Sequence, residues 1–241
     1  MREQIGQQIK KYFRPFPKWA VWMIVIGIFL STIGVGLLMI AIGIWALISW
    51  TKRPSDAEMD TWFEQDVRVL HVKALTKTGT DTSDLVAEPV MVTGPRITNR
   101  ANCELSFRKG KDNIIRFTPV NVTIINFTAH QLVVYGCALD LTTGNALNES
   151  TDEYFYNDVV SVSTKTKSFS VQLEGGKTLQ LDAAEMFELT TSGGTSVEVF
   201  LRDPKVIQMM GGTGDIPTTR AERAIQSVRK MLREKKSALV A

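Results

Sequence analysis

The stretch "WAVWMIVIGIFLSTIGVGLLMIAIGIWALISW", residues 19–50, carries no charged side chain in 32 consecutive positions. A secretory signal peptide has an apolar region of roughly 7–15 residues followed by a small-residue cleavage site. This run is far longer, ends in Trp50 and offers no such site, so it reads as a retained membrane anchor. One continuous helix of that length would measure roughly 48 Å, against a hydrocarbon core of about 30 Å. Trp19 and Trp22 at one end, and Trp45 and Trp50 at the other, suit two interfaces or one interface met twice. The middle, "STIGVG" at 31–36, is the least helix-favouring patch of the run. It separates 19–30 from 37–50, each long enough for a short helix, and small residues at Gly27, Ser31, Gly34 and Gly43 would let two helices approach closely.

Both flanks are basic: Lys10, Lys11, Arg14 and Lys18 before the run, Lys52 and Arg53 after it. Positive residues favour the cytoplasmic side. A hairpin with both ends inside satisfies both flanks. A single span satisfies one, and its heavier N-terminal flank would send the rest of the chain outside. The balance favours the hairpin, although each arm falls below the ~20 residues of a standard span. Such arms thin the bilayer or stop short of the far leaflet.

Charge is unevenly spread along the 241 residues, whose formal total is +3. Residues 1–18, a basic amphipathic N-terminal segment, hold five Lys/Arg against Glu3, and residues 218–241 hold seven against two Glu. Between them, 52–217 have 16 basic and 22 acidic residues. Nucleic-acid binding is not expected, because it concentrates basic side chains on a folded face. Two basic ends suit anionic lipid headgroups instead, with Lys10, Lys11, Arg14, Lys18, Lys52 and Arg53 as candidate contacts. Two cysteines, Cys103 and Cys137, are too few for a disulfide scaffold. Cys137, in "LVVYGCALD", reads as a small buried apolar side chain; one disulfide stays open if the domain is exported.

After the anchor, 51–80 form a connector helix, centred on 56–76. Ser55 stands three residues before Glu58, a capping-box spacing. Met59, Trp62, Phe63, Val67, Leu70 and Ala74 recur at helical intervals, and Gly79 ends the pattern. Its acidic cluster lacks EF-hand spacing and reads as a solvated face rather than a calcium site. From 86 to 210 the period switches to strands, with Gly-containing turns at "RKGKDN", "TTGN", "EGG" and "SGG". Such spacing predicts an antiparallel sandwich or barrel-like domain. A Gly-rich joint at 211–218 leads into a basic amphipathic helix at 219–237, opened by Thr219 and Glu222. Its apolar stripe runs through Ala221, Ala224, Ile225, Val228, Met231 and Leu232, and Arg220, Arg223, Arg229, Lys230 and Arg233 line the rest. It reads first as a lid packed on the sheet, and second as a membrane-surface helix.

Chemistry-bearing residues are sparse. His71 and His130 are the only histidines, too few partners for a zinc site or a His-based triad. "GGTG" at 211–214 lacks the Lys-Ser/Thr of a P-loop and reads as a hinge. Glu149, Asp152, Glu153 and Asp158 gather in "NESTDEYFYND". Paired carboxylates can do acid–base work, but a turn-strand-turn segment of this kind more often keeps them in water. The Asn121, Asn126 and Asn148 sequons matter only in a eukaryotic secretory setting. No catalytic residue, metal ligand or cofactor is expected.

The run "VTIINFTAHQLVVYGCALDLTTGNALNESTDEYFYNDVVSVST", followed by "MFELTTSGGTSVEVFL" and a terminal helix, resembles bacterial PH-like and GRAM-like β-domains. In those, a strand ending in an aromatic leads into D-[IV]-V-S-V, matched by "YNDVVSV" (156–162), and a later F-x-L-T-T-x-G-G hairpin is matched by 187–194. With the apolar hairpin and connector, the chain resembles uncharacterised bacterial inner-membrane proteins. The resemblance implies binding of lipids, peptides or other proteins. The expected class is therefore α+β: a transmembrane helical hairpin, a connector helix, and an antiparallel PH-like β-sandwich or barrel with a C-terminal helix. The expected function is a membrane-anchored, non-catalytic interaction or scaffold protein with its soluble domain in the cytoplasm. Its partners are the lipid bilayer and either another protein or further copies of the chain. The alternatives are a single-span structural subunit of an envelope or transfer assembly with a periplasmic β-domain, and, last, a membrane-bound hydrolase.

Overall fold

The computed structural model describes residues 2–31, 34–96, 105–172, 178–209 and 219–240. Cys103, the "EGG" turn and the 211–218 joint lie outside the described residues. The chain divides into two compact units, residues 1–63 and 64–241, and its class is mixed α+β with antiparallel sheets.

The first unit holds α1 (Arg2–Phe13), α2 (Lys18–Phe29) and α3 (Val35–Thr51), and it contains the start of α4 (Asp56–Thr78). Helices α2 and α3 pack against each other through small residues. Ala20 and Gly27 are the buried positions of α2; Gly36, Gly43 and Ala46 are those of α3. A Cβ on Gly36 would strike the Gly27 carbonyl oxygen, and one on Gly43 would come within 2.8 Å of the Ala20 oxygen. Backbone therefore meets backbone, which is the approach that small residues permit. Gly34, expected among the contact residues, instead caps α3 with φ of 77° and touches nothing with the Cβ position. That left-handed geometry suits glycine, and it turns the chain back.

The capping box at the start of α4 is formed. Glu58 Oε2 accepts from the Ser55 backbone N–H at 2.8 Å, and the Glu58 N–H donates to Ser55 Oγ at 3.2 Å. The Ser55 backbone N–H and hydroxyl, both donating to Glu58 Oε2, hold the Glu58 carboxyl below its usual range.

Among the described residues of the second unit, nine strands form three sheets: β1 (Val90–Pro95), β2 (Ser106–Lys109), β3 (Ile115–Thr118), β4 (Val120–Phe127), β5 (Gln131–Asp140), β6 (Asn145–Phe155), β7 (Val159–Gln172), β8 (Thr178–Thr191) and β9 (Ser196–Arg202). The orders are β1-β4-β5-β6, β2-β3 and β7-β8-β9, all antiparallel. The "RKGKDN" turn joins β2 to β3, but the run after it is not one strand. Pro119 has no N–H to give to a ladder, so the chain leaves the β2-β3 ribbon there and continues as β4 in the four-stranded sheet. Segment 148–158 also differs from the expected turn-strand-turn: most of it is the continuous strand β6, and only 156–158 turn.

Strands β4 and β5 are buried on both faces. One face, with Ile125, Phe127, Leu132 and Val134, joins Tyr156, Phe187, Leu189 and Val199 in the main core. Their other face meets α4, where His71 Nε2 lies 3.0 Å from Asn126 Oδ1 and Leu70 and Ala74 are buried. Gly94 of β1 lies against the Phe200 carbonyl of β9, where a Cβ would collide, so the two sheets meet along that edge. A short helix, α5 (Pro204–Met209), covers a smaller cluster of Leu181, Ala184, Phe200 and Val206. The terminal helix α6 (Thr219–Val240) places Ile225, Val228 and Leu232 in the main core. Its apolar stripe is thus used for packing, as the lid reading expects.

Candidate membrane-association site

The hairpin inverts the usual distribution of apolar bulk. Its small residues face inward, and its large ones face out: Phe29 is 80% exposed, Trp45 70%, Trp22 66%, and Leu37 and Leu38 64% each. In water such a surface would be costly, at roughly 25 cal/mol for each Å² left wet. Contiguous exposed apolar surface of this extent marks a membrane or protein contact. At about 1.5 Å per residue, the 12 residues of α2 and the 17 of α3 are both shorter than a bilayer core of about 30 Å. Among the described residues no single helix is long and apolar enough to cross a membrane; α3 and α4 pass that test only as a bent pair.

The open end of the hairpin is held by an aromatic clasp. Trp50 Nε1 donates to the Arg14 carbonyl oxygen at 3.3 Å. The Phe16 and Trp50 rings meet edge to face with centroids 5.0 Å apart, and the Arg53 guanidinium lies 3.9 Å from the Trp50 ring centre. The structure therefore brings the two basic flanks to one end of the hairpin. Lys10, Lys11, Arg14, Lys18 and Lys52 are exposed there, and Arg53 is half-buried on Trp50. Helix α1 adds a buried side of Gly6, Ile9 and Tyr12, and the Tyr12 hydroxyl donates to Asp56 Oδ1 at 2.8 Å.

Residues of the terminal helix form a separate group in the second unit. Arg220 and Arg223 sit in the first turns of α6, and their side chains lie outside the described ones. Arg229 is half-buried, with Nη2 3.4 Å from Thr164 Oγ1. Lys230 and Arg233 are exposed, and Lys230 lies 3.9 Å from Glu234.

The acidic segment 149–158 does not assemble a reaction centre. Glu149 takes Lys73 Nζ at 2.7 Å on one oxygen, and on the other Lys77 Nζ at 2.8 Å and the Tyr135 hydroxyl at 2.7 Å. Burial pushes its carboxyl up, but the two ammonium groups and the hydroxyl outweigh that and hold it at about 2. A group so acidic stays charged and moves no proton near neutrality. It instead fastens α4 to the sheet. Asp152, Glu153 and Asp158 are exposed, and Glu153 accepts from Gln131 Nε2. His130 is exposed in the β4-β5 turn, and Asn126 of the middle sequon is fully buried. Cys137 is a buried free thiol, and burial raises its pKa to about 11. Among the described residues no group of three or more His, Cys, Asp or Glu is placed to hold a metal.

Sequence reasoning missed the clasp and the Glu149 node. Lys73 and Lys77 are one helical turn apart, a spacing that puts two cations on one face and signals a shared acidic partner. Which carboxylate fills that role depends on strand register. No protein-family model, curated protein or solved structure matches the chain.

Proposed function

We propose that the chain is a membrane-anchored, non-catalytic interaction protein of the bacterial inner membrane. Its α2-α3 hairpin enters the bilayer from the cytoplasmic side and returns, and its β-domain serves as a PH-like binding module in the cytoplasm. The observation that carries this reading is the clasp at Trp50, because it joins two basic flanks at one end of a hairpin that exposes many of its bulky apolar side chains, Trp22, Phe29, Leu37, Leu38 and Trp45 among them. Positive residues on both flanks favour the cytoplasmic face, and anionic headgroups attract each of them by about 1 kcal/mol. Arms shorter than the bilayer core fit a hairpin that stops before the far leaflet. The PH-like assignment draws on the four-stranded and three-stranded antiparallel sheets, which share a core with the terminal helix, and on the buried roles of Tyr156, Val159, Phe187 and Leu189 within the resembling motifs. The single-span alternative has less support, since it needs one long apolar helix.

The test is cysteine labelling from each side of the membrane at positions 18 and 53, combined with reporters fused to the C-terminus. Both positions are expected to react from the cytoplasmic side only, with activity confined to a cytoplasm-dependent reporter. Labelling from opposite sides, or a periplasm-dependent reporter that works, overturns the proposal.

A further inference from the structure

Trp19, Trp22, Trp45 and Trp50 all belong to the uncharged stretch, and helix pairing decides where they stand. The close contacts set Gly27 against Gly36 and Ala20 against Gly43, an antiparallel register that brings 19–22 beside 41–44. All four tryptophans therefore stand toward the open end, where Trp50 reaches Arg14, and Trp22 and Trp45 are largely exposed there. The other end carries no such residues. From Met23 to Ile44 the sequence has no Trp, Tyr, His or charged residue, and Phe29, Leu30, Val35, Leu37 and Leu38 are exposed on either side of the bend.

Trp, Tyr and basic residues mark both interfaces of a segment that crosses a bilayer. This hairpin has a single such level. Beyond it, the lengths from Trp22 to Phe29 and from Trp45 to Val35 are about 10 and 15 Å, and half of a hydrocarbon core is about 15 Å. Leu30 N–H donates to the Ile26 carbonyl and Gly34 N–H to the Ser31 carbonyl, which reduces the polar backbone that this depth leaves without water.

We infer that the hairpin occupies one leaflet only, its tryptophans at the headgroup boundary and its bend near the bilayer midplane, and that the surface it binds is convex lipid. The inference rests on the reading of this stretch as a membrane hairpin and names the kind of membrane it takes; the side of entry does not enter into it. Two packed helices, each about 10 Å across, add area to the leaflet they enter and none to the other. A flat leaflet must compress its lipids to admit them. In a convex leaflet the headgroups are already spread and the acyl chains lie open to side chains such as Phe29, so binding of this kind is sensitive to curvature. The stretch 19–50 also holds no charge and no Asn or Gln. That suits acyl chains better than a protein partner, whose interfaces carry about one hydrogen bond per 100–200 Å².

The experiment dilutes the full chain from detergent onto preformed phosphatidylcholine–phosphatidylglycerol vesicles of about 30 and about 200 nm diameter, matched in outer-leaflet lipid. At least about threefold more chain is expected on the smaller vesicles, and equal loading overturns the inference. Depth is read from a fluorophore on Phe29→Cys, with Cys103→Ala and Cys137→Ala, quenched by lipids spin-labelled near the headgroup or near the acyl end. The deep label is expected to quench more strongly at position 29, and the shallow label more strongly for the same dye on Lys18→Cys. Stronger shallow quenching at position 29, or equal depth at the two positions, overturns the inference. Phe29→Lys alters an exposed side chain outside the helix contact and gives an independent reading. A lysine at the midplane lowers vesicle binding by about tenfold or more, whereas undiminished binding overturns the inference. These outcomes are separable from the topology. One-sided labelling at positions 18 and 53 with a shallow dye at 29 rejects the depth and keeps the anchor; labelling from opposite sides rejects the anchor itself.

Discussion

In the β-domain, Phe187, Leu189 and Leu132 are fully buried, while charged residues such as Lys165 and Glu198 stand in water. In the hairpin the order is reversed, with glycine and alanine inside and Trp22, Phe29 and Trp45 outside. Both regions are rich in apolar residues, so hydrophobicity alone does not separate them. The difference lies in what drives each pair of elements together. Sheets and α6 associate because water rejects their apolar faces. Two helices in lipid gain nothing from hiding leucine, and they associate through close backbone packing. The hairpin packs in the second way, backbone against backbone at its glycines.

The comparison is open to attack by removing apolar bulk from each region. Phe187→Ala should cost the β-domain about 3–5 kcal/mol, measured by urea unfolding of the full chain in detergent. A loss below about 1 kcal/mol would mean that Phe187 does not sit in a close-packed core. The opposite change in the hairpin is Gly36→Leu, which inserts a side chain where the Gly27 carbonyl lies. Overpacking of this kind costs about 3 kcal/mol. It should lower the urea midpoint of the hairpin measured in detergent; an unchanged midpoint would show that the helices do not need the glycine contact.

Glu149→Gln probes the polar fastening of α4, with an expected cost of about 2 kcal/mol near neutral pH. The native carboxyl titrates at about 2 against an ordinary 4.5. Because the folded value is depressed, its contribution is fully present above about pH 4.5 and is lost as the pH falls toward about 2. The variant should approach the parent's stability in urea titrations as acid is added, and a constant gap across that window would contradict the assignment. The smallest effect is expected for Phe29→Ala. At 80% exposure it should shift hairpin stability in detergent by less than about 0.5 kcal/mol, yet weaken partition of the chain into lipid vesicles. Equal partition of parent and variant would remove the lipid-facing role of that surface.

Much of the layout was legible from residue patterns. The glycine-containing bend, the Ser55–Glu58 cap, the turn at 142–145 and the apolar stripe of α6 each announce themselves within a few neighbouring positions, because caps, turns and helix faces are local. Pro119 is in plain view in the sequence, but nothing near it says that the chain changes sheets there. Whether Trp45 stands beside Trp22 or at the opposite interface was not legible. The two are far apart along the chain, and only the pairing of α2 with α3 sets them at one end.

The sequence by itself determined that an uncharged stretch of 32 residues is interrupted by its least helical segment and bordered by positive charge, because those are properties of neighbours along a chain. The tertiary structure alone decided which small residues meet, that Trp50 reaches Arg14 and Phe16, that Glu149 holds both lysines of α4, and that the tryptophans of the hairpin share its open end. Such pairings depend on register and on the angle at which elements pack, and those are fixed by the sum of many weak contacts across the fold rather than by any one segment.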